Sequence, residues 1–154
     1  MQLKINNKLV FNLEILNALE KNASAFGEEY FNPTSLQAER ENIISGSPSK
    51  RCEEDVICYE IILEDGKHVG DIILTPISEN EFELDIIIFI PNKGYGSAAL
   101  NKLVNIHKRN YDQTLSAMIL NDNPIKESVI KMFENSGFTK EEIYSNGVGL
   151  RLRS

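Results

Sequence analysis

The spacing of apolar residues changes period twice along this chain, and those changes mark out its elements. Between Asn12 and Lys21, Leu13, Ile15, Leu16 and Leu19 recur at helical spacing, which predicts an amphipathic helix. Pro33 followed by Thr34 and Gln37 reads as a capping box, opening a second helix that fades before Gly46. Residues 45–54 are mostly Ser, Gly, Pro and charge, hence a loop. From Val56 the pattern is that of strands. Val56 to Leu63 is rich in branched and aromatic residues, Asp65-Gly66 is a hairpin signal, and His68 to Thr75 returns. A further turn at Ser78 to Glu81 leads into Phe82 to Ile90, whose end is almost wholly apolar. Such a strand is covered on both faces and belongs in the middle of a sheet.

Helical spacing then resumes. Leu100, Leu103, Val104 and His107 form one stripe; Ile125, Val129, Ile130 and Phe133 form another, with Lys126, Glu127, Lys131 and Glu134 between them as a solvent face. Leu115 to Leu120 is a strand separating the two helices, and Asn146-Gly147 joins Lys140–Tyr144 to Val148–Arg153 as a closing hairpin. The order is α-α-β-β-β-α-β-α-β-β, with a short strand near Leu3 to Ile5. This predicts an α/β chain of the α+β type, a mixed and largely antiparallel sheet flanked by helices. No repeat or linker divides it, so residues 1–154 read as one domain.

Composition narrows the function classes. The longest strictly apolar run, Ile86 to Ile90, falls far short of the roughly 20 residues of a membrane span. A formal charge of −7 argues against nucleic acid, which wants a basic face; it fits a cationic acceptor such as an amine, but taken alone it reads as an aid to solubility. His68 and His107 stand singly, and Cys52 and Cys58 lack the rest of a zinc set, so no metal is expected. The two cysteines read as reduced thiols in the cytoplasm.

The chemistry is written in Ile86-Ile87-Ile88-Phe89-Ile90-Pro91-Asn92-Lys93-Gly94-Tyr95-Gly96-Ser97. A buried strand runs into a glycine loop that opens a helix. The first turn of a helix has unpaired N–H groups and the positive end of the dipole, and glycine lets an anion come close. The loop is therefore a phosphate or pyrophosphate seat, with Lys93 as a cation beside it. Read with Ala99 and Asp122, the same glycines also fit a dinucleotide fingerprint. That motif follows the first strand of its fold, whereas an antiparallel meander comes first here.

Lys93-Gly94-Tyr95-Gly96-Ser97-Ala98-Ala99-Leu100 and Phe133-Glu134-Asn135-Ser136-Gly137-Phe138 resemble two blocks of the GNAT superfamily of N-acetyltransferases. One is the R/Q-x-x-G-x-G/A loop; the other is the aromatic-Glu-x-x-Gly-Phe end of a later helix. The element order over almost the whole chain is similar too. The resemblance implies an acetyl-CoA-dependent N-acetyltransferase that passes the acetyl group directly to a primary amine, with an acyl-CoA-binding module as the alternative. It assigns acetyl-CoA to Ile88, Phe89 and Ile90 on the strand and to Asn92, Lys93, Gly94, Tyr95, Gly96 and Ser97 in the loop. Asn123, Lys126 and Phe133 complete that set. It leaves the acceptor unidentified and a homodimer open, and it implies a pantetheine arm lying between this strand and Leu115–Leu120.

Three positions depart from the family pattern. Pro91 replaces the usual Arg or Gln, a loss of about 1.5–3 kcal/mol of charge-assisted contact. Phe133 stands where many members carry the tyrosine that protonates the thiolate, and Asn123 lies further upstream than the family's asparagine. By the resemblance, an N–H near Phe89 or Ile90 polarises the thioester carbonyl. Asp85 aligns with an acidic residue of this strand and shares a face with Glu83, Ile87 and Phe89. It is the candidate base. No acid stands out among Tyr111, Ser128, Ser136 and Tyr144.

Overall fold

The computed structural model of the protein describes residues 1–7, 10–21, 33–50 and 55–153, with only the backbone of residues 33 and 34. The elements are β1 (Gln2–Ile5), α1 (Leu13–Lys21), α2 (Pro33–Ile44), β2 (Ile57–Ile62), β3 (His68–Ser78) and β4 (Glu81–Ile88). They continue with α3 (Tyr95–Asn110), β5 (Thr114–Leu120), α4 (Lys126–Asn135), β6 (Thr139–Tyr144) and β7 (Gly147–Leu152). The strands form one sheet in the order β1-β2-β3-β4-β5-β7-β6. Every neighbouring pair is antiparallel except β4 with β5. β4 is the central strand, as its run of isoleucines predicts.

Its two faces are covered by different helices. Leu100 and Leu103 of α3 and Ile130 and Phe133 of α4 join Ile72, Leu74, Leu115 and Leu150 in the larger core. Ile15, Leu16 and Leu19 of α1 and Leu36 of α2 close over Ile87 on the opposite face. Each fully buried leucine contributes roughly 1.5–3 kcal/mol, so this sandwich is what holds β4 rigid. Leu13 is 51% exposed and Ile125 is 62% exposed; both fall outside the stripes their spacing suggests. Ile125 is the N-cap of α4 rather than part of it.

Other expectations need correction. The closing turn is Ser145–Asn146, since Tyr144 pairs with Gly147, and Gly147 has no positive φ. Gly147 serves packing instead: a Cβ there would lie 2.5 Å from the Ile119 carbonyl oxygen. Cys58, fully buried on β2, is disulfide-bonded, which corrects the reading of two reduced thiols. Cys52 and the side chain of Thr34 lie outside the described residues; the backbone of α2 already starts at Pro33, which puts Thr34 within the first turn instead of at the cap expected of it. Among the described residues no helix is long and apolar enough to cross a membrane, and no cluster of three or more His, Cys, Asp or Glu could hold a metal.

Candidate active site

β4 and β5 part company soon after they meet. Their parallel pairing covers only Glu81–Glu83 against Thr114–Ser116. Beyond it β5 keeps pairing with β7, from Ala117↔Leu150 to Leu120↔Gly147, and β4 keeps pairing with β3 as far as Gly70↔Ile88. The two strands thus turn unpaired edges toward each other across a gap. The Phe89 N–H donates to the Val69 carbonyl at 2.9 Å. Strand alternation then aims the N–H groups of Ile86 and Ile88 the other way, into the gap. The N–H of Phe89, expected with that of Ile90 at the acyl carbonyl, is committed to β3; of the strand residues expected to bind acetyl-CoA, Ile88 is the one whose N–H faces the gap. Phe89 and Ile90 already lie in a bend beyond the strand.

The bend leads into the glycine loop, and the loop has the backbone an anion seat needs. Asn92 (φ 62°) and Gly94 (φ 73°) are both left-handed, a conformation costly for residues with a Cβ but easy for glycine. Gly94 is the N-cap of α3 and makes no side-chain cap. The Ala98 N–H is the first to bond, to the Gly94 carbonyl at 3.2 Å. The N–H groups of Tyr95, Gly96 and Ser97 therefore remain for an anion at the positive end of a 16-residue helix. Asn92, Lys93 and Ser97 are exposed beside them. Gly96 is where α3 touches β4: a Cβ there would lie 3.3 Å from Met132 Sδ and 3.6 Å from Ile88 Cγ1.

Asp85 stands two residues beyond the last β4–β5 pair, on the same face as Glu83 and Ile87 and opposite Ile73 of β3. Surrounding protein strips enough water from its carboxyl to push it up to about 6, and the Glu83 charge adds to the effect. Asp85 itself is exposed, so the energetic weight of that shift is discounted for solvent screening. Glu81, one register step away, is neutralised by Arg151 Nε at 2.9 Å, while Arg151 also holds Glu142 at 2.8 Å. Among the described residues neither Glu83 nor Asp85 has an ion-pair partner. The mouth of the gap is thus flanked by two free carboxylates on one face.

The remaining sequence-derived candidates lie elsewhere or are occupied. Asn123 Oδ1 accepts the Ile125 N–H at 3.0 Å and its carbonyl accepts the Lys126 N–H at 3.0 Å, starting α4. Lys126 Nζ donates to Asn121 Oδ1 at 2.8 Å, and Asn121 is anchored in turn to the β6–β7 turn through Ser145 and Asn146. Phe133 is 2% exposed and stacks edge-on against Phe138 at 5.0 Å. Ser136 Oγ donates to Asn101. Tyr111 stacks on His107 and bonds Tyr59 at the far end of α3, about 24 Å along the helix from the loop. Ser128 is exposed on α4 and Tyr144 is 43% exposed at the end of β6.

The gap, implied only by the resemblance, leaves no mark in the periodicity, and the pairing of His68 with Asp71 leaves little. His68 Nε2 and Asp71 Oδ1 lie 2.6 Å apart, with Asp71 fully buried. One signal was present: a carboxylate between Gly70 and two isoleucines interrupts a strand that is otherwise apolar.

A seven-stranded sheet whose central strands diverge beside a glycine-capped helix has solved counterparts. Campylobacter jejuni N-acetyltransferase PseH in complex with acetyl coenzyme A superposes with a TM-score of 0.62 at 14% identity, covering 99% of both chains. The fold is that of the GNAT N-acetyltransferases. Spermidine N-acetyltransferase from Vibrio cholerae, solved with CoA and spermine, gives a TM-score of 0.61 at 16% identity over 97% of this chain and 93% of its own. PaiA N-acetyltransferase from Thermoplasma acidophilum, in complex with coenzyme A, gives 0.57 at 15% over the full length of both. No family model and no curated protein matches the sequence.

Proposed function

We propose that this protein is an acetyl-CoA-dependent N-acetyltransferase acting on a primary amine. The observation that carries the reading is the parting of β4 and β5 beside the N-terminus of α3. Two strand edges with unmet N–H and C=O groups call for a chain that alternates the same groups, and the pantetheine arm has two amides. A pyrophosphate at its end meets the free N–H groups of Tyr95, Gly96 and Ser97. Lys93 adds charge there and compensates in part for Pro91. Bound structures of proteins with this fold, with acetyl coenzyme A or CoA, support the same assignment.

The chemistry then needs three groups. The N–H of Ile88 polarises the thioester carbonyl and steadies the oxyanion of the tetrahedral intermediate. Asp85, directly or through water, takes a proton from the ammonium of the acceptor. A carboxyl raised to about 6 is ionised at neutral pH yet a better base than an ordinary aspartate. The amine attacks the carbonyl carbon, its nitrogen gives its extra proton to solvent, the C–S bond breaks, and the thiolate takes a proton from solvent. Glu83 beside Asp85 draws a cation to this face. Phe133 and Asn123 contribute structure to the site rather than contacts, and Lys126 braces the β6–β7 turn at its rim. Such a reaction belongs in the cytoplasm, where acetyl-CoA is made.

The test is free-thiol release from acetyl-CoA over a panel of a polyamine, an aminoglycoside, an amino acid and a peptide N-terminus. Release above the amine-free blank with any of them is expected. Acetyl-CoA binding with no release across a broad amine panel would mean a binding module instead.

A further inference from the structure

β3 carries a feature that the acyl-transfer steps above do not use. Between Ile61↔Gly70 and Ile62↔His68 the register with β2 shifts, leaving Val69 as an extra residue. In a regular strand, residues three apart point to opposite faces. The bulge cancels one step and puts His68 on the face of Asp71, where Nε2 and Oδ1 come within 2.6 Å. The carboxylate is fully buried and the imidazole is 22% exposed. A buried aspartate among isoleucines is expensive unless paired, so the bulge and the pair belong together.

The same four residues grip the end of β4. The His68 ring packs edge-on against the Phe89 ring at 5.1 Å. The Val69 carbonyl holds the Phe89 N–H at 2.9 Å. Gly70 lies so close to the Ile87 carbonyl that any Cβ would collide with it. Asp71 pairs across to Ile87. The contacts of this bracket fall on Ile87 and Phe89, which flank Ile88, and through Gly70 on Ile88 itself.

We infer that His68 and Asp71 are a positioning pair for acyl transfer, fixing Ile87 to Phe89 so that the Ile88 N–H meets the acyl carbonyl, with a geometry that responds to the proton on His68. The inference rests on the acetyl-CoA reading for its ligand but not for its bracket. The charged groups acting on His68 are Asp71 on its own strand and Glu60 on β2, with the Gly70 carbonyl beside it. Glu60 is held by Asn6 Nδ2. β4 presents the uncharged Phe89 ring to His68, with Asp85 and Glu83 further along the same face of that strand, and the Arg40–Glu20 ion pair of α2 and α1 is closed between those helices. The hydrogen bond to Asp71 is the main cause that raises His68 above the ordinary 6.5, so the imidazolium persists toward neutral pH and the bracket is tightest in that form.

The experiment uses acetyl-CoA labelled with 13C at the thioester carbonyl, bound to the isotope-labelled full chain and followed by NMR across pH. All proteins compared carry Asp85→Asn, which removes the other group of this strand that titrates in the same range; with His68 and Asp71 intact, the bound carbonyl shift and the Ile88 amide are expected to titrate with one midpoint, equal to that of the His68 ring. His68→Gln keeps a donor toward Asp71 and should fold; in it the carbonyl and Ile88 titrations at that midpoint should be lost. Asp71→Asn should lower the His68 midpoint, and the carbonyl should follow it down. A carbonyl and Ile88 amide that stay flat while His68 titrates, or a titration that survives His68→Gln, would overturn the inference. If the wild type does not bind acetyl-CoA, the acetyl-CoA reading falls, and the Ile88 amide in the free protein still decides the bracket.

Discussion

Gly96 at the start of α3 lies against Ile88 at the end of β4, so close that a Cβ on Gly96 would sit 3.6 Å from Ile88 Cγ1. The proposed anion seat and the Ile88 N–H proposed to meet the acyl carbonyl are therefore held beside each other by the packing of Gly96 on the Ile88 side chain.

That contact determines which variant tests the seat. Gly96→Asp would drive its side chain inward against Met132 Sδ, 3.3 Å from the Cβ position, and would confound binding with stability. Ser97 is exposed on the same turn. Ser97→Asp places a carboxylate at the helix N-terminus, where it stabilises the free protein by about 0.3–1 kcal/mol while repelling a pyrophosphate. The expected result, read by thermal melting with and without CoA, is an unchanged or higher melting temperature alone and a lost or much reduced shift with CoA.

Asp85→Asn should make the protein more stable and less active. The native carboxyl titrates near 6 and the unfolded one near 3.8. Stability linked to that proton is full below 3.8 and lost as pH rises through 6. Removing the charge should raise the melting temperature at pH 7–8 relative to wild type and change little below about pH 4. The transfer rate should fall by about 10²–10⁴-fold near neutrality and recover in part at high pH, where the amine needs no base. An unchanged pH–rate profile would remove Asp85 from the chemistry.

Much of the fold could be read from periodicity because most of the chain obeys one local rule at a time. Ile86 to Ile90 signalled a central strand, and Leu100, Leu103 and Val104 signalled a helix face; the sheet order and the core agree. The gap between β4 and β5 could not be read this way. Whether β4 and β5 stay together past Glu83 depends on pairing with β3 and β7, and nothing in Ile86-Ile87-Ile88 encodes an unpaired edge. The bulge at Val69 is hidden for a related reason: one extra residue shifts the face of His68 without altering the apolar pattern around it. Asn146-Gly147 misled because glycine serves close packing as well as turns, and here the Ile119 carbonyl demands it.

Introducing at position 133 the tyrosine found in many members of the family this chain resembles should fail as a gain of function. Phe133 is 2% exposed and packs on Phe138. Phe133→Tyr would bury a hydroxyl, at a cost of about 1–3 kcal/mol if it finds no partner. Denaturant melts should show that loss, and thiol release should not rise. A faster enzyme would mean that the ring reaches the sulfur.

Lys93→Ala and Lys126→Ala should separate by ionic strength and by ligand. Lys93 is exposed beside the free N–H groups, so its loss should weaken CoA binding most at low salt, where screening is weakest. Lys126 is tied to Asn121, so its loss should lower thermal stability slightly and change CoA affinity less. Titration calorimetry at two salt concentrations checks both.

The most direct measurement is a thermal melt of the unmodified protein with acetyl-CoA and, in parallel, with NAD. A ligand that binds only the native state adds about 2.7 kcal/mol at 100 times its Kd. For a chain of this size that amounts to about 5–10 °C. The gap between β4 and β5 and the loop from Asn92 to Ser97 predict that shift with acetyl-CoA and none with NAD. No shift with millimolar acetyl-CoA, or an equal shift with NAD, would contradict the assignment of the site.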